Sequence, residues 1–457
     1  MAAIGSQYQN TPEARTAGSE LNELCRKSFD LCPTWNLKTM QAIFLTEIFT
    51  LFRGRKPIVR LSKPFEALYR RLLESSGQDY IPTPCTSPGN APSVESLLDR
   101  FVTQPNNQVH QSQDVQSEWL QWVDNEARQR LLGACFIFDL HQSIYHQQPR
   151  SKASRINPGH FYQPCLESLW NAGTSSEWQA QQSQSNHAPQ QLQFIEHDLT
   201  AQSNFGGTPY SECLSVSFFA NRLPTREDSI YLTDRQLYHP GVASLETLFP
   251  TSPLALTYLA LNHTPLHDLL AIAGDTWIFG KKITPPSAFT DASQRLKIWS
   301  SSIAAAQATQ HACRVLSLTL NCQPSCITDY WSVYVSVLIC WAFGHRFQTS
   351  ISAGGSGTLS RNNSSSALSS MDDDGAQVQS ADDVRLKALT YIEGMLALSV
   401  EDLLVNHTAS LKGDTSGVIV AVRQRLELES VGGTCSLLVD CIGVLSKISK
   451  SGKGKWF

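Results

Sequence analysis

Residues 328–346, TDYWSVYVSVLICWAFGHR, are apolar on nearly every side of a helical wheel. A helix of that composition must be enclosed by other protein all round. The small residues Thr328, Ser332, Ser336, Cys340 and Gly344 fall four apart and line one face, where a neighbouring helix can come close. Trp331, Tyr334, Leu338 and Trp341 supply bulk elsewhere. Thr328 or Asp329 suits the start, and Gly344, His345 and Arg346 suit the end. The run is too short and too polar at its borders to cross a bilayer, which takes about 20 residues. The expected architecture is all-α: one large multi-helix core around a central buried helix at 328–346, interrupted by three polar insertions.

The charged fraction, 17%, lies below the usual value of about 25%, with Ser, Gln and Asn taking its place. A net charge of −4 gives the whole molecule no attraction to nucleic acid or to an anionic membrane. Twelve cysteines run from Cys25 to Cys441, most of them, such as Cys135 and Cys340, inside apolar helical patterns, as free thiols are in a reducing compartment. Residues 1–20 hold no apolar run of the kind a signal peptide needs, so nucleus or cytoplasm is the expected location, with no membrane partner.

Along the chain, residues 1–19 lack periodicity and are expected to be disordered. Leu37, Met40, Phe44, Ile48 and Leu51 predict a helix that ends at Arg53 and Gly54. Ser62 and Pro64 open a second one, with Phe65, Leu68 and Leu72 inward. The basic residues around it, Arg53 to Arg71, are broken up by Pro57, Ile58 and Val59 and read as a solvated face. Residues 77–117 are an insertion with one short helical candidate at 94–101. A long helix follows at 117–143, with Leu120, Val123, Ala127, Leu131, Ala134 and Phe138 inward. Asp124/Arg128 and Glu126/Arg130 are paired four apart on it.

Residues 173–193 are Gln- and Ser-rich, a second insertion, and 212–248 carry mixed signals without an assignment. Residues 253–261 predict a helix, and Thr264 with Pro265 starts another that leads to Gly274. Leu296, Trp299, Ile303 and Ala306 predict one helix running towards Leu320. Residues 347–381 are the third insertion, with Ser369 and Ser370 beside an acidic triplet. Leu386, Leu389, Ile392, Leu396, Val400 and Leu403 predict one helix, and Leu437, Cys441, Val444, Leu445 and Ile448 the last. There is no repeat of fixed period, and no heptad run is long enough for a coiled coil.

The phrase ITDYWSVYVSVLICWAFGHR resembles the late helix of the fungal-specific transcription factor domain, found in regulators with a DNA-binding zinc finger near the N-terminus. The stretches at 118–143, 162–179 and 437–457 point the same way, so the resemblance covers the chain from about residue 34 onward. The motif residues are Trp122, Glu126, Arg130, Leu131, Asp139, Trp170, Trp178, Tyr330, Trp331, Tyr334, Trp341, Gly344, His345, Arg346, Trp456 and Phe457. No catalytic role attaches to them; the resemblance implies a structural one. It also implies a nuclear regulator with partners in the transcription machinery or a related regulator. Control of a secondary-metabolite gene cluster is the expected context.

Zinc and DNA contact would belong to a finger segment that these residues lack. Cys322 and Cys326 satisfy only the first half of a two-cysteine, two-histidine finger, and the chain has no C-x2-C. The expectation is therefore a truncated gene product, a non-DNA-binding modulator, or a regulator using another contact. No cofactor is expected in the chain itself.

Other chemistry is weak. His263, His267 and Asp268 have metal-ligand spacing, but Pro265 starts a helix between the histidines and misaligns them. Asp139 and His141 are two apart and cannot face one another on a helix, which leaves hydrogen bonding near the helix end. Gly413 to Gly417 is followed, not preceded, by strand-like residues, unlike an esterase elbow. The chain is expected not to be an enzyme. A small-molecule tailoring enzyme and a helical ligand sensor are the alternatives.

Overall fold

The structure is a computed structural model. It describes residues 1–6, 9, 11–31, 35–53, 60–76, 107–145, 150–151, 164–184, 208–223, 240–274, 286–320, 329–354, 381–405, 414–429 and 436–450. Every regular element among them is a helix, as the all-α expectation requires. The N-terminal group is α1 (Ala2–Gly5), α2 (Pro12–Leu31), α3 (Leu37–Arg53), α4 (Lys63–Ser76) and the long α5 (Asn107–Tyr145). The short α6 (Glu167–Trp170), α7 (Ser175–Gln184) and α8 (Pro209–Ala220) lie on α5 or beside it. Then come α9 (Pro240–Leu248), α10 (Pro253–Asn262), α11 (Leu266–Ala273), α12 (Pro286–Trp299), α13 (Ile303–Thr319) and α14 (Asp329–Gly354). The chain closes with α15 (Ala381–Leu396), α16 (Val400–Leu404), α17 (Ser416–Glu429) and α18 (Ser436–Lys450).

The centre is the pair α13–α14, flanked by α10, α15 and α17. Every described side chain of α14 from Trp331 to His345 is buried. The partner α13 touches it at Cys313 and Cys340 and buries Ala304, Ala305, Ala306, Ala308 and Ala312, all 3% exposed or less. Alanine is the best helix former and leaves least between two backbones, so these positions let the helices around α13 approach it closely. One contiguous apolar core runs from Met40 on α3 through this pair to Ile448 on α18.

Several boundaries differ from the sequence reading. Residues 1–19 carry α1 and the first part of α2 instead of disorder. The helix expected from 117 begins ten residues earlier at Asn107, and its Leu120 is 54% exposed, not inward. Within the second insertion, α7 forms because Thr174 Oγ1 accepts from Glu177 N–H (3.2 Å) while Glu177 Oε2 accepts from Gly173 N–H (2.9 Å). That reciprocal bonding is close to a capping box. The unassigned 212–248 region holds most of α8 and all of α9; α8 is buried on nearly all sides, which erases any periodicity.

Thr264 does not cap α11. Its hydroxyl donates back to Ala260 O (2.7 Å), and Pro265 occupies the cap position instead. Gly274 ends that helix with φ of 79°, a left-handed conformation glycine adopts at no steric cost. The single helix expected through Leu296 and Ala306 is two, α12 and α13. Ser300 and Ser302 turn their hydroxyls onto Lys297 O (2.8 Å) and Trp299 O (2.7 Å), and Ser302 then caps α13 by accepting from Ala305 N–H (3.2 Å). Serines compete with the helix for its own carbonyls in this way.

Gly344 does not end the central helix, which continues to Gly354. The leucine stripe at 386–403 is split between α15 and α16, and Leu386 is 63% exposed. The buried face of α15 is Val384, Ala388, Tyr391, Ile392 and Met395. Residues after Gly413 are helical, forming α17, where Gly417 lies against α15: a Cβ there would sit 2.8 Å from Lys387 Cβ and 3.1 Å from Ala388 N. The candidate at 94–101, Ser369, Ser370, Cys322, Cys326, Trp456 and Phe457 lie outside the described residues. Arg346 lies in α14.

Candidate functional site

Two motif residues, Glu126 and Trp170, meet at a third, Arg130. Glu126 and Arg130, one turn apart on α5, bond at 2.9 Å, and the two side chains are only 13% and 16% exposed. The same Glu126 oxygen accepts from Cys165 N–H (3.1 Å), while Arg130 donates to Cys165 O (3.3 Å) and approaches Glu167 at 3.6 Å. The guanidinium lies 4.4 Å from the Trp170 ring centre and 5.7 Å from that of Tyr210, whose hydroxyl donates to Arg130 O (2.7 Å). Two turns earlier, Trp122 packs on Trp178 of α7 with ring centres 5.6 Å apart.

Burial alone would lower the Arg130 pKa, but its bonds to Glu126 and Cys165 outweigh that and hold it above the usual value. The Cys165 thiol is pushed up to about 12 by burial and by the Glu126 charge. It is a protonated thiol at neutral pH, not a nucleophile. Leu131 points into the core at 6% exposure. The cluster therefore pins 164–184 and the start of α8 onto α5.

The end of α5 makes a second cluster. Asp139, with no side-chain exposure, accepts from Ser151 N–H (2.8 Å) and Arg150 Nε (3.3 Å). His141 turns elsewhere: its Nδ1 is 2.7 Å from the Tyr258 hydroxyl on α10, and its ring stacks on Tyr145 at 5.1 Å. The two side chains have separate partners, in keeping with their spacing. Tyr145 continues the path to the central helix, 3.5 Å from the Ser332 hydroxyl and 6.2 Å from the Trp331 ring centre, with Tyr334 packed on Trp331 at 5.3 Å. Trp341 and His345 are buried further along the same helix, and Tyr330 is half-buried at its start.

The histidines expected to be misaligned are so. His263 is buried, His267 is exposed, and Asp268 accepts from two of the three Arg295 guanidinium nitrogens, Nη2 at 2.6 Å and Nε at 3.0 Å. His263 stacks on His311 of α13 (5.9 Å, 10° between rings), a contact not legible in the sequence. His311 Nε2 also lies 3.3 Å from Glu246. Burial, with His263 and Arg314 nearby, pushes the His311 pKa down to about 3; burial and Lys297 push His345 to about 4. Cys313 and Cys340 touch at 3.8 Å where the small-residue stripe of α14 meets α13. Their contact and burial raise the Cys313 pKa well above its usual value. Among the described residues no three His, Cys, Asp or Glu side chains are grouped so as to hold a metal ion.

The ionic groups in these clusters bond to protein partners and tie helices together. Sequence spacing revealed the Glu126–Arg130 pair; it gave no sign of Cys165, Tyr210 or Trp170 as their neighbours, since those lie 35 to 80 residues away. No helix among the described residues is long and apolar enough to cross a membrane. Comparison with protein-family models, curated proteins and solved structures finds no match to the chain.

Proposed function

We propose that the chain is the regulatory and effector part of a transcription regulator, resembling the helical domain of fungal zinc-finger factors. In this reading the helical body carries a regulatory signal and binds protein partners, DNA is read only by a finger segment supplied elsewhere, and the chain is not an enzyme. Control of a secondary-metabolite cluster is its context, and the nucleus its place of action. The observation that supports this is the packing of the segments carrying the resemblance. Residues 118–143 hold 162–179 through Arg130 and the Trp122–Trp178 contact. The same helix reaches 328–346 through Tyr145 and Ser332. These segments thus form one connected framework, as expected of structural motifs in a regulatory body.

The test is a fusion of the full chain to an unrelated DNA-binding domain, read by a reporter gene. A change in reporter output that Arg130→Ala diminishes supports the reading. An inert fusion, or turnover of a metabolite by the pure protein, overturns it. The pure chain alone is expected not to retard DNA in a gel at low salt, where phosphate contacts are strongest.

A helical ligand sensor is the second reading, and Gln142 favours it. Its side chain is 2% exposed, beside His141 and one turn before Tyr145, and both amide atoms lack a hydrogen-bond partner. An unsatisfied buried amide costs about 1–3 kcal/mol, so a small polar ligand that reached it would be retained. A metabolite-library thermal shift that Gln142→Leu abolishes would support this reading.

A further inference from the structure

Helix α2 is turned the wrong way round for a surface helix. Towards α1 and α3 it presents Arg15 (3% exposed), Gly18 and Asn22 (8%), with Arg15 Nε donating to Gln9 O (3.0 Å) and Asn22 Nδ2 to Thr50 Oγ1 (3.3 Å). Outward it presents Leu21 (44% exposed) and Leu24 (60%), with Ala17 and Ser28 exposed on the same side. Positions 17, 21, 24 and 28 are spaced four, three and four, the seam of a two-stranded helical contact. The run is far too short to pair as a free peptide, but α2 is already held helical by its own fold, which removes the ordering cost.

The flanking charges choose the occupant and its direction. Glu20 and Lys27 are both exposed along one edge of the seam, seven residues apart. We propose that this face docks antiparallel on the same face of a second copy of the chain. Leu21 then packs on Leu24 of the second copy, Ala17 on its Ser28, and Glu20 faces its Lys27, each contact occurring twice by symmetry. A parallel pair would set Glu20 beside the neutral Cys25 and gain no ion pair. The small residues Ala17 and Ser28 at the ends let the helices close on the leucines.

The test is sedimentation equilibrium of the full chain over a wide concentration range, with circular dichroism and urea midpoints as folding controls. All the substituted positions are exposed, so the fold should be unaffected. Wild type should show a concentration-dependent monomer–dimer equilibrium. Leu21→Asp with Leu24→Asp should weaken it at least tenfold. Lys27→Glu should weaken it severalfold, because it sets Glu20 against a second acid. Exchanging both charges, Glu20→Lys with Lys27→Glu, should restore it. A monomer at every concentration would overturn the proposal, as would a dimer indifferent to the leucine substitutions. Failure of the double exchange to restore what Lys27→Glu lost would also overturn it.

Discussion

Replacing Arg130 should release one part of the molecule before the rest. Arg130→Ala removes the hydrogen bonds to Glu126 and to the carbonyl and sulfur of Cys165, the contact with Glu167 and the stacking on Trp170, in a site where Arg130 and Glu126 are at least five-sixths buried. Hydrogen bonds to charged groups contribute about 1.5–3 kcal/mol and a partly desolvated cation–π contact about 0.5–1. Glu126 is left with one backbone donor, Cys165 N–H. Some water will reach it, so the net loss should be about 2–3 kcal/mol.

The loss falls on the attachment of 164–184 to α5, so amide exchange there should speed up by roughly 30- to 150-fold. Exchange in α13 and α14 should change far less. Hydrogen exchange with mass spectrometry reads both regions in one experiment. Arg128→Ala is the control: its bond to Asp124 is 2.6 Å, but the side chains are 35% and 47% exposed, and such pairs contribute under about 1 kcal/mol. If the two variants exchange alike, or if α13 and α14 open as much as 164–184, the pinning role of Arg130 is wrong.

Gly417→Ala should lower the unfolding free energy from urea titration by about 1–3 kcal/mol, because the new methyl group meets the α15 backbone, whereas Gly443→Ala, with nothing within 4 Å, should raise it by up to about 1 kcal/mol. His311 has a folded pKa of about 3, below its unfolded value, so the unfolded chain binds its proton first. Its stabilising contribution is complete above about pH 6.5 and fades as pH falls towards 3. His311→Gln should therefore flatten the loss of stability between pH 7 and 4.5, by about 2 kcal/mol in denaturant titrations at the two pH values. Glu47 has the opposite sign: burial, offset in part by the bond from Ser62 N–H, raises its pKa, so its contribution is present at low pH and lost as pH rises. Glu47→Gln should leave the midpoint at pH 7 unchanged or higher and steepen the loss on acidification. Tyr258→Phe should cost about 1–3 kcal/mol by thermal or urea unfolding, since it strips His141 of a buried 2.7 Å bond.

Much of the fold could be read from the sequence where burial leaves a plain signature. The segment around position 335 could only be interior, and the helix expected from residue 253 starts there, with Ser252 as the cap that the sequence reading did not name. Leucine positions alone do not fix the phase of a helix. On α15 the inward positions are held by Ala388, Tyr391 and Met395, and Leu386 is outside. Helix α8 was illegible because Ser211, Ser215 and Ser217 are buried with its apolar residues, leaving no polar face to set a period. Helix α7 carries a legible start signal, Thr174 with Glu177 three residues on, inside a Gln-rich stretch whose composition alone points to an insertion. Around Arg130 the sequence held one pair of four apart; its remaining neighbours depend on how 164–184 and α8 fold back.

The buried alanines of α13 have a mechanical consequence. Methyl groups give almost no soft padding, so a displacement of α13 can be absorbed only in small part by side chains changing rotamer. The helices packed on it, α10, α14 and α15, would have to tilt with it as rigid bodies.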